Sequence, residues 1–145
     1  MQTIIFIGIQ GSGKTTFYAK RFLKTHLRIS LDMLKTRNKE RQFVQLCLAT
    51  GQKFVVDNTN PTIAERKKYI EAAKEARFEV IGYYFNTPLA EALERNSRRL
   101  GKEAVSAIGI RATAKKLQLP VYEEGFDTLF EVLPGLGTVE VVNLK

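Results

Sequence analysis

Short, unbroken apolar runs alternate along this chain with longer segments in which apolar residues recur every three or four positions. The first run, TIIFIG from Thr3 to Gly8, has no polar position after its threonine, the pattern of a strand buried on both faces. LRIS, KFVVD, FEVIGYYF, TLFEVL and VEVVNL read as further strands. Between them the spacing predicts helices over Lys14–Leu23, over most of Asp32–Thr50 up to Gly51, and from Asn60 to about Ala76. Two more are predicted from Thr87 to about Arg99 and from Glu103 to about Leu117. Asn60 precedes Pro61 and Thr87 precedes Pro88, in each case a cap followed by proline at the first helical position. Apolar strands alternating with helices predict one α/β domain over residues 1–145, a parallel sheet covered by helices on both faces.

The first strand runs into GIQGSGKTTF, Gly8 to Phe17. Gly8, Gly13, Lys14 and Thr15 satisfy G-x-x-x-x-G-K-[ST] between a strand and a helix, the context this phosphate-binding loop requires. The backbone of Gly11, Ser12, Gly13 and Thr16 is then expected to turn its N–H groups toward phosphates at a helix N-terminus. Lys14 would reach the β and γ phosphates, and the Thr15 hydroxyl would hold Mg²⁺. The dinucleotide pattern G-x-G-x-x-G fails, because counting from Gly11 its last position is Thr16. The loop implies a nucleoside triphosphate and leaves the acceptor unnamed.

Composition narrows the acceptor only slightly. A formal net charge of +8 over 145 residues favours polyanionic partners. No apolar run is long enough for a membrane span, and the N-terminus lacks a basic flank and cleavage site, so a membrane role and secretion are not expected. The single cysteine, Cys47, sits in an apolar stretch and reads as a buried thiol in a reducing cytoplasm. With one cysteine and one histidine, a zinc cluster of the usual ligands is excluded.

Catalytic groups in open α/β sheets lie beyond the carboxyl ends of the strands. Two carboxylates fall there: Asp32, after LRIS, and Asp57, closing KFVVD. Each is a candidate for the chemistry or for a helix cap. A third constellation is ERNSRR, Glu94 to Arg99. Arg95 and Arg99 are four apart on the predicted helix and share a face, with Arg98 three from Arg95. Such arginines either stabilise a transferring phosphoryl group or form a solvated basic face.

Taken in order, GIQGSGKTTF, ISLDMLK, VVDNTNPTIAERKKYIEAAKEA, ERNSRR and LPVYEEGF give a pattern that resembles the polynucleotide 5′-hydroxyl kinases over nearly the whole chain. The resemblance implies a P-loop NTPase fold of the adenylate-kinase-like kind and transfer of the γ-phosphate of ATP to the 5′-hydroxyl end of DNA or RNA. It implies Asp32 as general base, Lys14 and Thr15 on ATP and Mg²⁺, and Arg95 and Arg99 on a lid near residues 88–102. It places Asp57 and Asn58 on the acceptor side. Where the family has an arginine three residues after the base, this chain has Lys35, which keeps the charge but loses the planar fork; Arg37 lies two residues on. No D-x-D-G-T phosphatase motif occurs in these residues, so removal of 3′-phosphates is not expected of them. Two other readings stand beside this one: a small-molecule kinase on the same fold, and a nucleotide-dependent binding module without turnover.

Overall fold

The computed structural model describes residues 1–99, 106–134 and 139–144. Its centre is a six-stranded sheet in the order β2-β3-β1-β4-β5-β6. The strands are β1 (Gln2–Ile7), β2 (Leu27–Ile29), β3 (Phe54–Val56), β4 (Glu79–Phe85), β5 (Thr128–Pro134) and β6 (Val139–Asn143). The helices are α1 (Lys14–Arg21), α2 (Leu31–Leu34), α3 (Arg37–Thr50), α4 (Ile63–Glu75), α5 (Leu89–Ser97) and α6 (Ala107–Lys116), and a 3-10 turn covers Tyr122–Glu124.

β1 is buried from Thr3 to Ile7 because it lies inside the sheet and packed side chains cover both its faces. Ile5 and Ile7 pack with Val44 and Cys47 of α3 and Tyr69, Ile70 and Ala73 of α4. Ile4 and Phe6 face the other way, onto Phe17 and Tyr18 of α1 with Phe22, Tyr83 and Phe85. That second face is aromatic and packs by ring edges: Phe6 and Phe85 have centroids 5.0 Å apart at 70°, Phe17 and Phe85 5.3 Å at 85°. Ile9, Ala92 and Ile110 form a third cluster that ties α5 and α6 to the loop after β1.

Four local departures from the sequence expectations have physical causes. β6 pairs with β5 antiparallel, with Val132 opposite Val141. Only residues 135–138 separate the two strands, whereas a parallel return needs a crossover of a dozen or more residues. The helix expected from Asp32 to Thr50 is two: Lys35 turns to φ 74°, and the Thr36 side chain caps α3 by accepting from Lys39 N. Asn60 is not the cap of α4. It sits at φ 44° and donates from its amide to Phe6 O at 2.7 Å, while Thr62 caps the helix through Glu65 N. α5 stops at Ser97, so Arg98 is its C-cap and Arg99 lies beyond the helix. The expected start of the next helix at Glu103 lies outside the described residues. Within them that helix begins at Ala107, capped by Ser106.

Two buried polar groups yield stability predictions. Arg66 has no solvent exposure; it donates to both Glu124 carboxylate oxygens at 2.8 and 3.0 Å and to Asn60 O at 2.9 Å. Arg66→Met strands the buried Glu124 and should lower the unfolding free energy by about 3–5 kcal/mol in a urea titration. Lys67→Ala, which removes the exposed pair with Glu71, should change it by about 0.5 kcal/mol or less. His26, the single histidine, is buried between Thr25 Oγ1 and Gln2 Oε1, and burial, helped by Lys53, pushes its pKa below the ordinary 6.5. The folded protein thus binds the proton less readily than the unfolded chain, and stability should fall as pH drops below about 6.5. His26→Gln should flatten the stability–pH slope in that window, measured by urea titrations between about pH 5 and 7.5.

Candidate active site

β1 ends in mid-sheet, and the chain then turns back over the carboxyl ends of its neighbours. Gly8 N donates to Thr59 O at 3.0 Å, which ties the start of the loop to the segment after β3. Gly13, the N-cap of α1, has φ 87°, a conformation open mainly to glycine. Gly11 has φ 80°, and a Cβ there would lie 2.9 Å from the carbonyl oxygen of Ala92. At Gly11 the loop is therefore packed against α5 with no room for a side chain.

Lys14 Nζ folds back inside this loop and donates to Gly8 O and Ile9 O, both at 2.8 Å, and to Ser12 Oγ at 3.3 Å. Its pKa is lowered from 10.5 to about 8, chiefly by burial; Asp57 opposes the shift, Arg99 adds to it and Asp32 opposes it. Those charges all face one cleft of about 890 Å³, which the loop floors.

The cleft collects most of the residues singled out in the sequence. Gly11 to Thr16, Asp32, Lys35, Asp57, Asn58 and Arg99 all line it. Asp57, directly after β3, is buried; it accepts from Thr15 Oγ1 at 3.2 Å and from Arg28 Nε at 2.8 Å. Asp32 is in the first turn of α2 and exposed to the cleft. Arg95 reaches the loop by a different side, donating to Gly11 O at 3.2 Å and pairing with Glu91 at 2.7 Å. Arg98 is paired with Glu94 and mostly exposed. Of the lid span near 88–102, residues 100–102 lie outside the described residues.

Asn58 holds the Asp32 segment in place. Its Oδ1 accepts from Leu31 N at 2.9 Å, and its Nδ2 donates to Glu40 Oε2 at 2.7 Å. Glu40 is buried and accepts from Tyr69 OH at 2.5 Å and from Arg37 Nη1 at 3.3 Å. Burial and that hydrogen bond raise the Tyr69 pKa, so the phenol stays protonated and donating. Arg37, steadied also by the Tyr69 hydroxyl at 3.1 Å, lines the cleft beside Lys35.

Sequence reasoning missed Arg28, Glu40 and Tyr69. A glutamate inside a helix usually faces water, so nothing in the helical spacing marks Glu40 as buried. Arg28 left a faint signal, a long cation in a three-residue strand otherwise apolar.

Sequence and fold comparisons agree on a P-loop fold. A bifunctional polynucleotide phosphatase/kinase of Schizosaccharomyces pombe is 28% identical over 137 residues, covering 90% of this chain and 33% of that protein. A sequence of Acanthamoeba polyphaga mimivirus, provisionally given the same name, is 33% identical over 137 residues, with 88% of this chain and 32% of that one covered. The chain thus spans about a third of the length of these curated relatives. The crystal structure of Chaetomium thermophilum Kti12 in complex with ADP-AlF3 superposes with a TM-score of 0.65 at 19% identity, covering 90% of this chain and 88% of that one. These matches bear out the resemblance carried by the loop, ISLDMLK and ERNSRR, and the P-loop kinase fold it implied. The model of the AAA domain matches residues 3–120, from β1 to the turn before β5, and the chain belongs to that family of P-loop domains.

Proposed function

We propose that the chain is an ATP-dependent kinase that phosphorylates the 5′-hydroxyl end of DNA or RNA. The observation that carries this reading is one cleft lined by the P-loop, by an exposed carboxylate, Asp32, and by the cations Lys35 and Arg37. The names of the two curated relatives support a polynucleotide acceptor, as does the net charge of +8.

In this reading the triphosphate lies on the backbone N–H groups of the loop, and Lys14 exchanges its contacts with Gly8 O and Ile9 O for phosphate oxygens. Thr15 Oγ1 and Asp57 Oδ2 are hard oxygen donors 3.2 Å apart, which fits Mg²⁺. Among the described residues no group of three His, Cys, Asp or Glu comes together to cage a metal, which accords with an ion held mainly by water and phosphates. When bound, the ion neutralises charge on the transferring phosphates. Asp32 orients the acceptor hydroxyl and takes its proton, late in a loose transition state where the alcohol is still weakly bonded to phosphorus. Asn58 positions Asp32 through Leu31 N. Arg99 adds charge at the donor phosphates, and Arg95 braces the loop through Gly11 O.

The test is transfer of labelled γ-phosphate from ATP to matched DNA and RNA oligonucleotides with 5′-hydroxyl ends, with nucleosides and sugars as competing acceptors. Labelled oligonucleotide is the expected product, and Asp32→Asn should lower its rate by about 10² or more while ATP binding is retained. Lys14→Ala should abolish transfer with an unchanged far-UV dichroism spectrum. Labelling only of the small acceptors would sink the polynucleotide reading.

A variant set separates the arginines. Arg99→Ala should lower kcat strongly with a modest change in KM for ATP, because its contact forms as charge builds at the barrier. Arg95→Ala should impair both parameters by loosening the loop. Arg98→Ala should stay within about twofold of wild type, since its exposed pair with Glu94 points to no role in the cleft.

A further inference from the structure

Nothing in the proposed reaction uses Arg28, yet it lines the cleft and is held there by three hydrogen bonds. It leaves β2 opposite Val55 of the neighbouring strand, and its side chain is 21% exposed. Nε donates to Asp57 Oδ2 at 2.8 Å, Nη2 to Thr15 Oγ1 at 3.2 Å and Nη1 to Met33 Sδ at 3.0 Å. The Thr15 hydroxyl donates in turn to the same Asp57 oxygen at 3.2 Å. The three groups close a ring. Its consequence is chemical: the lone pair that Thr15 would present to a cation already accepts from a guanidinium, and the Asp57 carboxylate is already neutralised.

We infer that Arg28 is a built-in stand-in for the divalent cation, holding Thr15 and Asp57 in the nucleotide-free protein and giving them up when metal arrives with the triphosphate. This rests on the donor-site half of the proposed function, and is independent of the acceptor.

A guanidinium and a divalent ion on these two oxygens repel each other and compete for the same lone pairs, so the binding of one disfavours the other. Arg28 is tethered by its strand and always charged, so it refills the place whenever metal departs. Metal alone must therefore displace a charge-assisted hydrogen bond and gains only two protein oxygens for it. Metal brought with the triphosphate gains phosphate oxygens as well, and the released arginine meets those anions rather than a bare cation. The two ligands thus bind with positive coupling, set by the difference in what Arg28 contacts in the two states. Such a device keeps the free protein from holding a metal without nucleotide. It also fixes the rotamer of Thr15 and the position of Asp57 in advance.

The test uses the full chain and Mn²⁺, with free Mn²⁺ read by electron paramagnetic resonance, so that no turnover is needed. Nucleotide-free Arg28→Gln should bind Mn²⁺ roughly tenfold more tightly than wild type, about the value of one partly exposed charge-assisted hydrogen bond. Arg28→Lys, which keeps a charge without the fork, should fall between them and carries the test if the glutamine variant does not fold. With ATP present the difference should shrink, so the coupling between Mn²⁺ and ATP is smaller in Arg28→Gln than in wild type. Adding Asp57→Asn should remove the gain in either background. Equal or weaker Mn²⁺ binding by both Arg28 variants, or a gain that survives Asp57→Asn, overturns the inference. If wild type binds ATP no better with Mn²⁺ than in chelator, the donor-site reading itself fails; if it does bind better and the Arg28 variants match it, only the inference fails.

Discussion

The cleft depends on the parallel pairing of β1 with a partner on each side. Ile5 lies opposite Val56 of β3, and Ile7 opposite Tyr84 of β4. Because the strands run the same way and keep register, Gly8, Asp57 and Asn86 all emerge at one end of the sheet. The burial of Ile4, Ile5, Phe6 and Ile7 on two packed faces prevents a slip, since a shift by one residue would exchange both faces at once. The phosphate loop is therefore a consequence of where the apolar strand runs out, and its distance from Asp57 is set by strand register.

At that end the structure holds several cations close together. Lys14, Arg28, Arg37 and Arg99 share the cleft with Asp32 and Asp57. Three of them are restrained differently: Lys14 by two loop carbonyls, Arg28 by Asp57 and Thr15, Arg37 by Glu40 and Tyr69. The depressed Lys14 pKa reflects a cost to the ammonium that comes chiefly from burial, eased by Asp57 and increased by Arg99. A phosphate ligand would relieve that cost, which is a physical reason for such a site to bind anions strongly at a modest number of contacts.

Much of this was legible in the sequence, for identifiable reasons. The strands could be read because burial on both faces leaves unbroken apolar runs, and the loop because its glycines are demanded by φ values near 80–87°. The direction of β6 was also available, in the short spacing between Pro134 and Val139, but alternation of element types hid it. The break after α2 was not: Lys35 takes a left-handed conformation with no glycine to announce it. Asn60 gave the signal of a cap and is instead a strut to Phe6 O, because tertiary hydrogen bonds, invisible locally, outweighed the capping preference. Asp32 and Asp57, which follow strand ends, line one cleft with the loop. The arginine pair did not keep one helical face, because α5 ends before Arg99.

The departure at Lys35 gains a structural meaning from the same break. A continuous helix would carry Asp32 and Arg37 on one rod, five residues apart and facing apart by roughly 140°. Breaking it at Lys35 uncouples the two, and each then finds its own anchor: Asn58 holds the start of α2, and Glu40 with Tyr69 holds Arg37 at the start of α3. Both anchors meet at Glu40, whose two oxygens serve Asn58 on one side and Arg37 on the other. The planar fork missing from Lys35 is thus present a short distance along the chain, fixed by a buried carboxylate. A change at Glu40 would disturb the segment that carries Asp32 and the nearby guanidinium together, although Glu40 itself does not line the cleft.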